Sequence, residues 1–362
     1  MRYLDEFRDP ELARVLVAAI RAEMGDRPLR LMEVCGSHTV AIFRSGVRQL
    51  LGGSVELLSG PGCPVCVTAQ RDIDHALALA AAPGVTLATF GDMIKVPGAR
   101  GSLQQARAAG ADVRVVYAAT DALRFAEANP SRQVVFLGIG FETTAPTVAA
   151  SLLEARQRRV SNYYVFSVHK LVPPALRALL ASGEVQLDGL ILPGHVSAII
   201  GEAPYRFLST DYRLPAVITG FEPLDILRSI LDLARLARSA RPAVVNQYGR
   251  AVRQDGNPAA LEAMAAAFSA SVAEWRGLGS IPGSGLRLRS EFAAHDAALA
   301  FPVDVPASRE PAGCACGRVL RGATKPPECP LFAVACTPER PVGPCMVSAE
   351  GACTAYYAYG RA

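Results

Sequence analysis

Lysine is almost missing from this chain. Of its 37 basic residues only Lys95, Lys170 and Lys325 are lysines, and against 33 acidic residues the net charge is +4. So small an excess builds no polyanion-binding face, and nucleic acid is not an expected partner. A long apolar run is also lacking. The longest weakly polar stretch, Ala76 to Phe90, is interrupted by Pro83-Gly84 and falls short of the roughly 20 residues that a bilayer demands, so no membrane span is expected. The opening residues, Met1-Arg2-Tyr3-Leu4-Asp5-Glu6, hold neither an apolar segment nor a small-residue cleavage site, and a cytoplasmic location is expected. Nucleotide signatures are missing too. There is no Gly-x-x-x-x-Gly-Lys-Ser/Thr loop, and Gly138-x-Gly140 lacks the third glycine of a dinucleotide fingerprint.

The sequence is otherwise rich in apolar residues, 51% against 19% charged, which excludes a disordered chain. At roughly 150 residues per domain, its length predicts two or three domains, each able to bury a core. Apolar residues at helical spacing, Leu12, Val15, Leu16, Ala19 and Ile20, follow an Asp9-Pro10 start signal and predict a helix to Met24. Beyond it, β-rich runs alternate with helical stretches such as 71–82 and 146–158. The runs are 29–34, 55–58, 85–90, 113–117, 134–139, 163–168, 189–192 and 216–219. This rhythm predicts an α/β fold of βαβ units with parallel sheets.

Polar loops follow these runs: Cys35-Gly36-Ser37-His38-Thr39, Gly60-Pro61-Gly62-Cys63-Pro64-Val65-Cys66, Phe90-Gly91-Asp92-Met93, Gly140-Phe141-Glu142-Thr143-Thr144, His169-Lys170, Pro193-Gly194-His195 and Gly220-Phe221-Glu222-Pro223. All lie at the carboxyl ends of strands, where open α/β sheets form their sites. The triplet Gly-Phe-Glu occurs twice, at 140–142 and 220–222, and suggests two similar halves facing a cleft. Near Asn246-Gln247-Tyr248 the alternation stops. From Pro302 onward Pro, Gly and Cys dominate.

Nine cysteines in a reducing compartment do not read as a disulfide framework. Six fall in the tail, Cys314, Cys316, Cys329, Cys336, Cys345 and Cys353, where little apolar surface is available and a metal would organise the chain. Zinc and iron–sulfur chemistry both suit such thiolates, and spacing alone does not choose between them. The Cys63-Pro64-Val65-Cys66 pair has the spacing of a redox dithiol, or of half a zinc site that Cys35 and His38 would complete. His38, His169 and His195 occupy post-strand loops, whereas His75 and His295 lie in a helical run and a linker-like stretch.

Taken together, these strings resemble the HypD family of [NiFe]-hydrogenase maturation factors over nearly the whole chain. The resemblance rests on Cys35 to Thr39, Gly60 to Cys66, Gly140-Phe141-Glu142-Thr143-Thr144-Ala145-Pro146, Pro193-Gly194-His195-Val196-Ser197 and the cysteine-rich tail. It implies two similar Rossmann-like parallel-sheet domains facing a cleft, with a small iron–sulfur domain built from the C-terminal region and the N-terminal helix. The corresponding division is 28–158 for the domain carrying Cys35 and the Cys63/Cys66 pair, 159–240 for the second α/β domain, and 1–27 with 241–362 for the iron–sulfur domain. The family's cluster ligands follow Cys-x14-Cys-x6-Cys-x16-Cys, a pattern that Cys314, Cys329, Cys336 and Cys353 match and that implies a [4Fe-4S] cluster. Cys316 and Cys345 would then form a thiol relay.

The resemblance further implies a scaffold that assembles Fe(CN)2CO with the chaperone HypC and accepts cyanide from HypE. Cys35 would anchor Fe(II), with Cys63 and Cys66 as electron donors and His38 as a proton donor or an orienting group. Asp92, Lys95, Glu142, Thr143, Thr144 and His195 would line the cleft. Lys95 and Lys170 would favour thiolates at Cys35, Cys63 or Cys66. A competing reading is an iron–sulfur dithiol/disulfide reductase similar to ferredoxin–thioredoxin reductase, and a third is a structural zinc protein. Anaerobically purified protein is expected to be brown with broad visible absorbance; colourless protein with stoichiometric zinc would refute both iron–sulfur readings.

Overall fold

The computed structural model describes residues 5–24, 27–305 and 309–360; the expected absence of an export signal rests partly on Met1 to Leu4, outside the described residues. Among the described residues eleven strands are present: β1 Leu29–Glu33, β2 Val55–Ser59, β3 Val85–Thr89, β4 Asp112–Val115, β5 Gln133–Gly138, β6 Tyr163–Ser167, β7 Gly189–Pro193, β8 Ala216–Thr219, β9 Val244–Asn246, β10 Phe268–Trp275 and β11 Gly279–Leu288. The first eight coincide with the β-rich runs of the sequence to within a residue or two. Two parallel sheets result, ordered β2-β1-β7-β8-β9 and β4-β3-β5-β6, and β10 with β11 forms an antiparallel hairpin.

The sheets do not follow the expected division at residues 158 and 159. The chain leaves the first sheet after β2, builds the whole second sheet from β3 to β6, and returns to pair β7 with β1. The unit bearing Cys35 is therefore discontinuous in sequence. Both sheets begin with the same second-first-third-fourth strand order, as two similar halves require. The Gly-Phe-Glu triplets nevertheless occupy different places, one after the third strand of its sheet (β5) and the other after the fourth (β8).

Local chemistry explains the elements. The helix Pro10–Glu23 starts on Asp9, whose side chain accepts the N–H groups of Glu11 and Leu12, with proline at the first helical position. Its stripe of Leu16, Val17 and Ile20 is buried with Leu31, Ile191, Val217 and the helix Pro223–Arg238. That stripe is thus covered by the first sheet's unit. The last helix, Ala352–Tyr359, instead packs on Gly36–Arg44, with Tyr356 edge-on to Phe43 at 4.7 Å. One core joins both sheets to the tail, containing Met32, Leu87 and Leu192 together with Cys66, Cys336 and Cys345.

Among the described residues no helix is long and apolar enough to cross a membrane. Leu31, fully buried on β1, an inner strand of its sheet, is expected to cost about 2–5 kcal/mol when replaced by Ala, through lost contacts and the cavity left behind. A lowered urea midpoint at unchanged slope would show this.

Candidate sulfur and iron site

Parallel pairing of β1 with β2, Glu33 opposite Ser59, sends two loops off the sheet side by side. Cys35 immediately precedes the helix Gly36–Arg44. The N–H of Gly36 donates to the carbonyl of Gly62 at 3.0 Å. A Cβ on Gly62 would stand 2.1 Å from the Cys35 nitrogen, so this crossing requires bare backbone. Just beyond, Cys63 and Cys66 are joined as a disulfide, and the N–H of Cys66 donates to Cys63 Sγ at 3.2 Å. The three sulfur residues are nearly fully buried. Burial, reinforced by the Glu350 carboxylate, pushes the Cys35 thiol up to about 11, so ionising it needs help from a cation or a base.

Beside Cys35 lies a groove of about 540 Å3 whose walls include Ser37, Arg44, Phe221, Glu222 and Glu350. Phe221 carries two imidazoles, His38 at 4.6 Å and His195 at 4.0 Å between ring centroids. His38 is fully buried and burial lowers it to about 4. It is therefore neutral near pH 7, and its Nε2–H is assigned as donor to the Gly220 carbonyl at 3.0 Å. Its Nδ1 is bare, with no hydrogen-bond partner among the described residues. As a proton donor His38 is thus poorly suited; as an acceptor or orienting group it is well placed.

The other expected cleft residues are spread more widely. Asp92 and Lys95 are exposed, Asp92 accepting the Ser348 hydroxyl at 3.1 Å and Lys95 influencing Glu339 in the tail. A hydrogen-bonded path runs from Asp92 through Ser348 and Glu350 to Ser37. Thr143 and Thr144 are half-buried, and Thr144 donates to the Ile139 carbonyl at 3.0 Å. Glu142 is buried rather than open to a cleft: one oxygen accepts the Val172 N–H at 3.0 Å and the other has no partner among the described residues. Lys170 is neutralised by Asp72 at 3.0 Å, so it is not a free cation for the thiols. His169 and His295 are held by Ser167 and by the Tyr163 carbonyl.

Several residues of the site went unremarked in the sequence. Glu33, two residues before Cys35, is fully buried and raised to about 7 by burial, with Ser59 donating to it at 3.1 Å and the Arg48 guanidinium standing 3.8 Å away as a counter-charge. Strand alternation was its signal, since Glu33 shares a face with Leu29 and Leu31. Tyr205 is buried near enough to Glu142 and Cys35 for both to oppose its ionisation. Phe221 lay in a strand-end loop already singled out, whereas Glu350 had no comparable signal, because only folding brings it to Cys35.

All six tail cysteines line one cavity, with Val319, Leu331, Phe332 and Met346 completing its wall. Cys316 Sγ and Cys345 Sγ stand 2.6 Å apart. Hydrogen bonds from Cys314 and Cys345, with the Arg276 cation adding, hold the Cys316 thiol well below its ordinary value. Among the described residues no three candidate ligands converge on one ion. A [4Fe-4S] cube asks for something else, since each thiolate binds its own iron and four sulfurs surround the cube. Four thiols in an apolar pocket, with Gly343 leaving room beside Cys314 Sγ, fit that requirement. The short helix Pro64–Val67 touches both the Cys316–Leu320 helix and the Pro344–Met346 turn, so the dithiol and the tail pair are neighbours.

The Glu142 carboxyl, raised by burial from 4.5 to about 7, takes up protons on folding between those values. Its contribution to stability therefore falls as pH rises through that window, by on the order of 3 kcal/mol. Glu142→Gln is expected to flatten this fall, read as the urea midpoint across the same pH range; an unchanged profile would refute the assignment.

Comparison with known proteins identifies the family. Residues 11–360 match the family model described as HypD, hydrogenase formation hypA family. The chain is 48% identical to hydrogenase maturation factor HypD2 of Bradyrhizobium diazoefficiens over 100% of this chain and 97% of that protein. It is 46% identical to hydrogenase maturation factor HypD of Rhodobacter capsulatus, covering 100% and 99% of the two chains. With HypD of Escherichia coli the identity is 46%, over 99% of this chain and 98% of that one. The chain belongs to the HypD family of hydrogenase maturation factors.

Proposed function

We propose that the protein is a redox-active scaffold on which the Fe(CN)2CO group of a [NiFe]-hydrogenase is assembled, working in the cytoplasm with HypC and taking cyanide from HypE. The observation that carries this reading is the crossing of the Cys35 loop with the Cys63/Cys66 loop, through the Gly36 N–H and the Gly62 carbonyl at 3.0 Å. A lone thiol and a two-electron dithiol thereby share one corner of the sheet.

Fe(II), as substrate, takes Cys35 as a soft anchor that leaves coordination positions for cyanide and carbon monoxide. Because burial holds the Cys35 thiol protonated, at about 11, iron binding expels a proton. His38 Nδ1 is a buried acceptor without a hydrogen-bond partner among the described residues, as is one oxygen of Glu33. Release of cyanide from the HypE thiocyanate breaks a sulfur–carbon bond and consumes two electrons, giving a thiolate and cyanide. Cys63 and Cys66 supply both electrons by closing to a disulfide and release two protons. Cys316 and Cys345, beside them, return the pair to the dithiol. A [4Fe-4S] cluster held by Cys314, Cys329, Cys336 and Cys353 would supply single electrons to that tail pair.

Infrared spectra of the protein purified with HypC are expected to show bands of metal-bound cyanide and carbon monoxide, lost in Cys35→Ala. Cys63→Ala is expected to keep iron binding but lose the cyanide bands. Iron affinity at Cys35 is expected to rise about tenfold per pH unit below the thiol's own titration, as one expelled proton requires; a pH-independent affinity would refute thiol anchoring. The contact of the Pro64–Val67 helix with the Cys316 helix and the Cys345 turn also favours a second reading, an iron–sulfur dithiol/disulfide reductase. Full hydrogenase maturation by Cys35→Ala, with loss in Cys63→Ala, would decide for it.

A further inference from the structure

The hairpin of β10 and β11 ends in a turn whose Arg276 is only 2% exposed. Burying a guanidinium is costly unless it is well paired. The Arg276 N–H donates to the Val67 carbonyl at 2.9 Å, Nε to the Thr68 carbonyl at 3.1 Å and Nη2 to Gln70 Oε1 at 3.3 Å. These acceptors are neutral. The carboxylate of Glu310 stands 4.0 Å away with its side chain 42% exposed, a weak counter-charge. Acceptors at Val67, Thr68 and Gln70 all belong to the segment that leaves Cys66.

The other side of the same turn rests on the helix that begins at Cys316. Gly277, at φ +76°, approaches Gly317 so closely that a Cβ on Gly277 would lie 2.4 Å from the Gly317 Cα, and Arg321 donates to the Gly277 carbonyl. Residues 276 and 277 are thus wedged between the exit of one thiol pair and the start of the other. An apolar side chain would fill the same volume at lower desolvation cost and keep the backbone bond to Val67, but would make neither of the two guanidinium bonds that hold Thr68 and Gln70.

We infer that Arg276 is a positioning residue for thiol–disulfide exchange between the Cys63/Cys66 and Cys316/Cys345 pairs, an inference that rests on the relay proposed above. In the exchange a tail thiolate attacks the Cys63–Cys66 bond, forming a mixed disulfide and releasing one sulfur as a thiolate. The second tail thiol then closes on the first and expels the remaining sulfur. One disulfide is broken and one formed; two electrons and two protons pass from the tail pair to Cys63 and Cys66, and no further reductant is consumed in the step.

The test uses the full-length protein, reduced anaerobically and given one equivalent of diamide. Acid quenching, differential alkylation and peptide mass spectrometry then follow the disulfide between the two pairs. Arg276→Gln is expected to slow redistribution on the order of tenfold or more, while the final distribution, iron content and thermal midpoint stay as in wild type. Arg276→Lys, which keeps a donor for the Thr68 carbonyl, is expected to recover part of the rate, and Gln70→Ala to lose part of it. Equal rates in wild type and Arg276→Gln would overturn the positioning role alone. If Arg276→Gln does not fold, wild-type rates in both Arg276→Lys and Gln70→Ala would overturn it. Wild-type protein whose pairs never exchange would remove the relay, and the role with it.

Discussion

One backbone hydrogen bond, from the Gly36 N–H to the Gly62 carbonyl at 3.0 Å, is the constraint on which the sulfur site depends. It exists because β1 and β2 are adjacent and parallel and because Gly62 has no side chain to hold the loops apart. Strand pairing thus converts three cysteines that are 28 and 31 residues apart in the chain, Cys35 against Cys63 and Cys66, into one corner. The tail then closes over this corner through Ala352–Tyr359 on the Cys35 helix and through Glu350 on Ser37.

The interior of that corner carries little charge. Burial raises Glu33 and Glu142 to about 7, lowers His38 to about 4 and raises Cys35 to about 11. Each shift favours the neutral form, as desolvation requires. The proposed cargo, a dication and anionic ligands, would enter a medium that screens charge poorly and would ionise the thiol it binds. Arg276 is a buried cation against the segment that leaves the dithiol, held by neutral acceptors and by Glu310 as a weak counter-charge.

Much of the fold was legible because its signals are local. A buried parallel strand announces itself as a short β-rich run followed by a polar loop, and all eight early runs became strands. The hairpin 268–288 was missed. Its Phe268-Ser269-Ala270-Ser271-Val272-Ala273-Glu274-Trp275 segment alternates weakly, with small residues where a strand signal needs bulk, and the glycine turn at 277–279 gives only a local cue. Discontinuity of the first sheet was equally hidden, since β2 and β7 flank β1 across more than a hundred residues of intervening sheet. Lys170 illustrates the converse error, since an apparently free cation in a loop is spent on Asp72 from a distant helix.

The α/β class, the placement of reactive residues at strand ends, the cysteine inventory and the family can all be read from the residues in order. These follow from residue type, spacing and strings that sit within a few positions of each other. Tertiary structure alone decided that the Cys63/Cys66 pair lies against the tail thiols, that Glu142 is buried, that His38 is a neutral acceptor and that Arg276 stands between two sulfur pairs. Each of these depends on burial and on contacts between segments far apart in the chain. Local spacing carries no record of which distant backbone will remove a group from water.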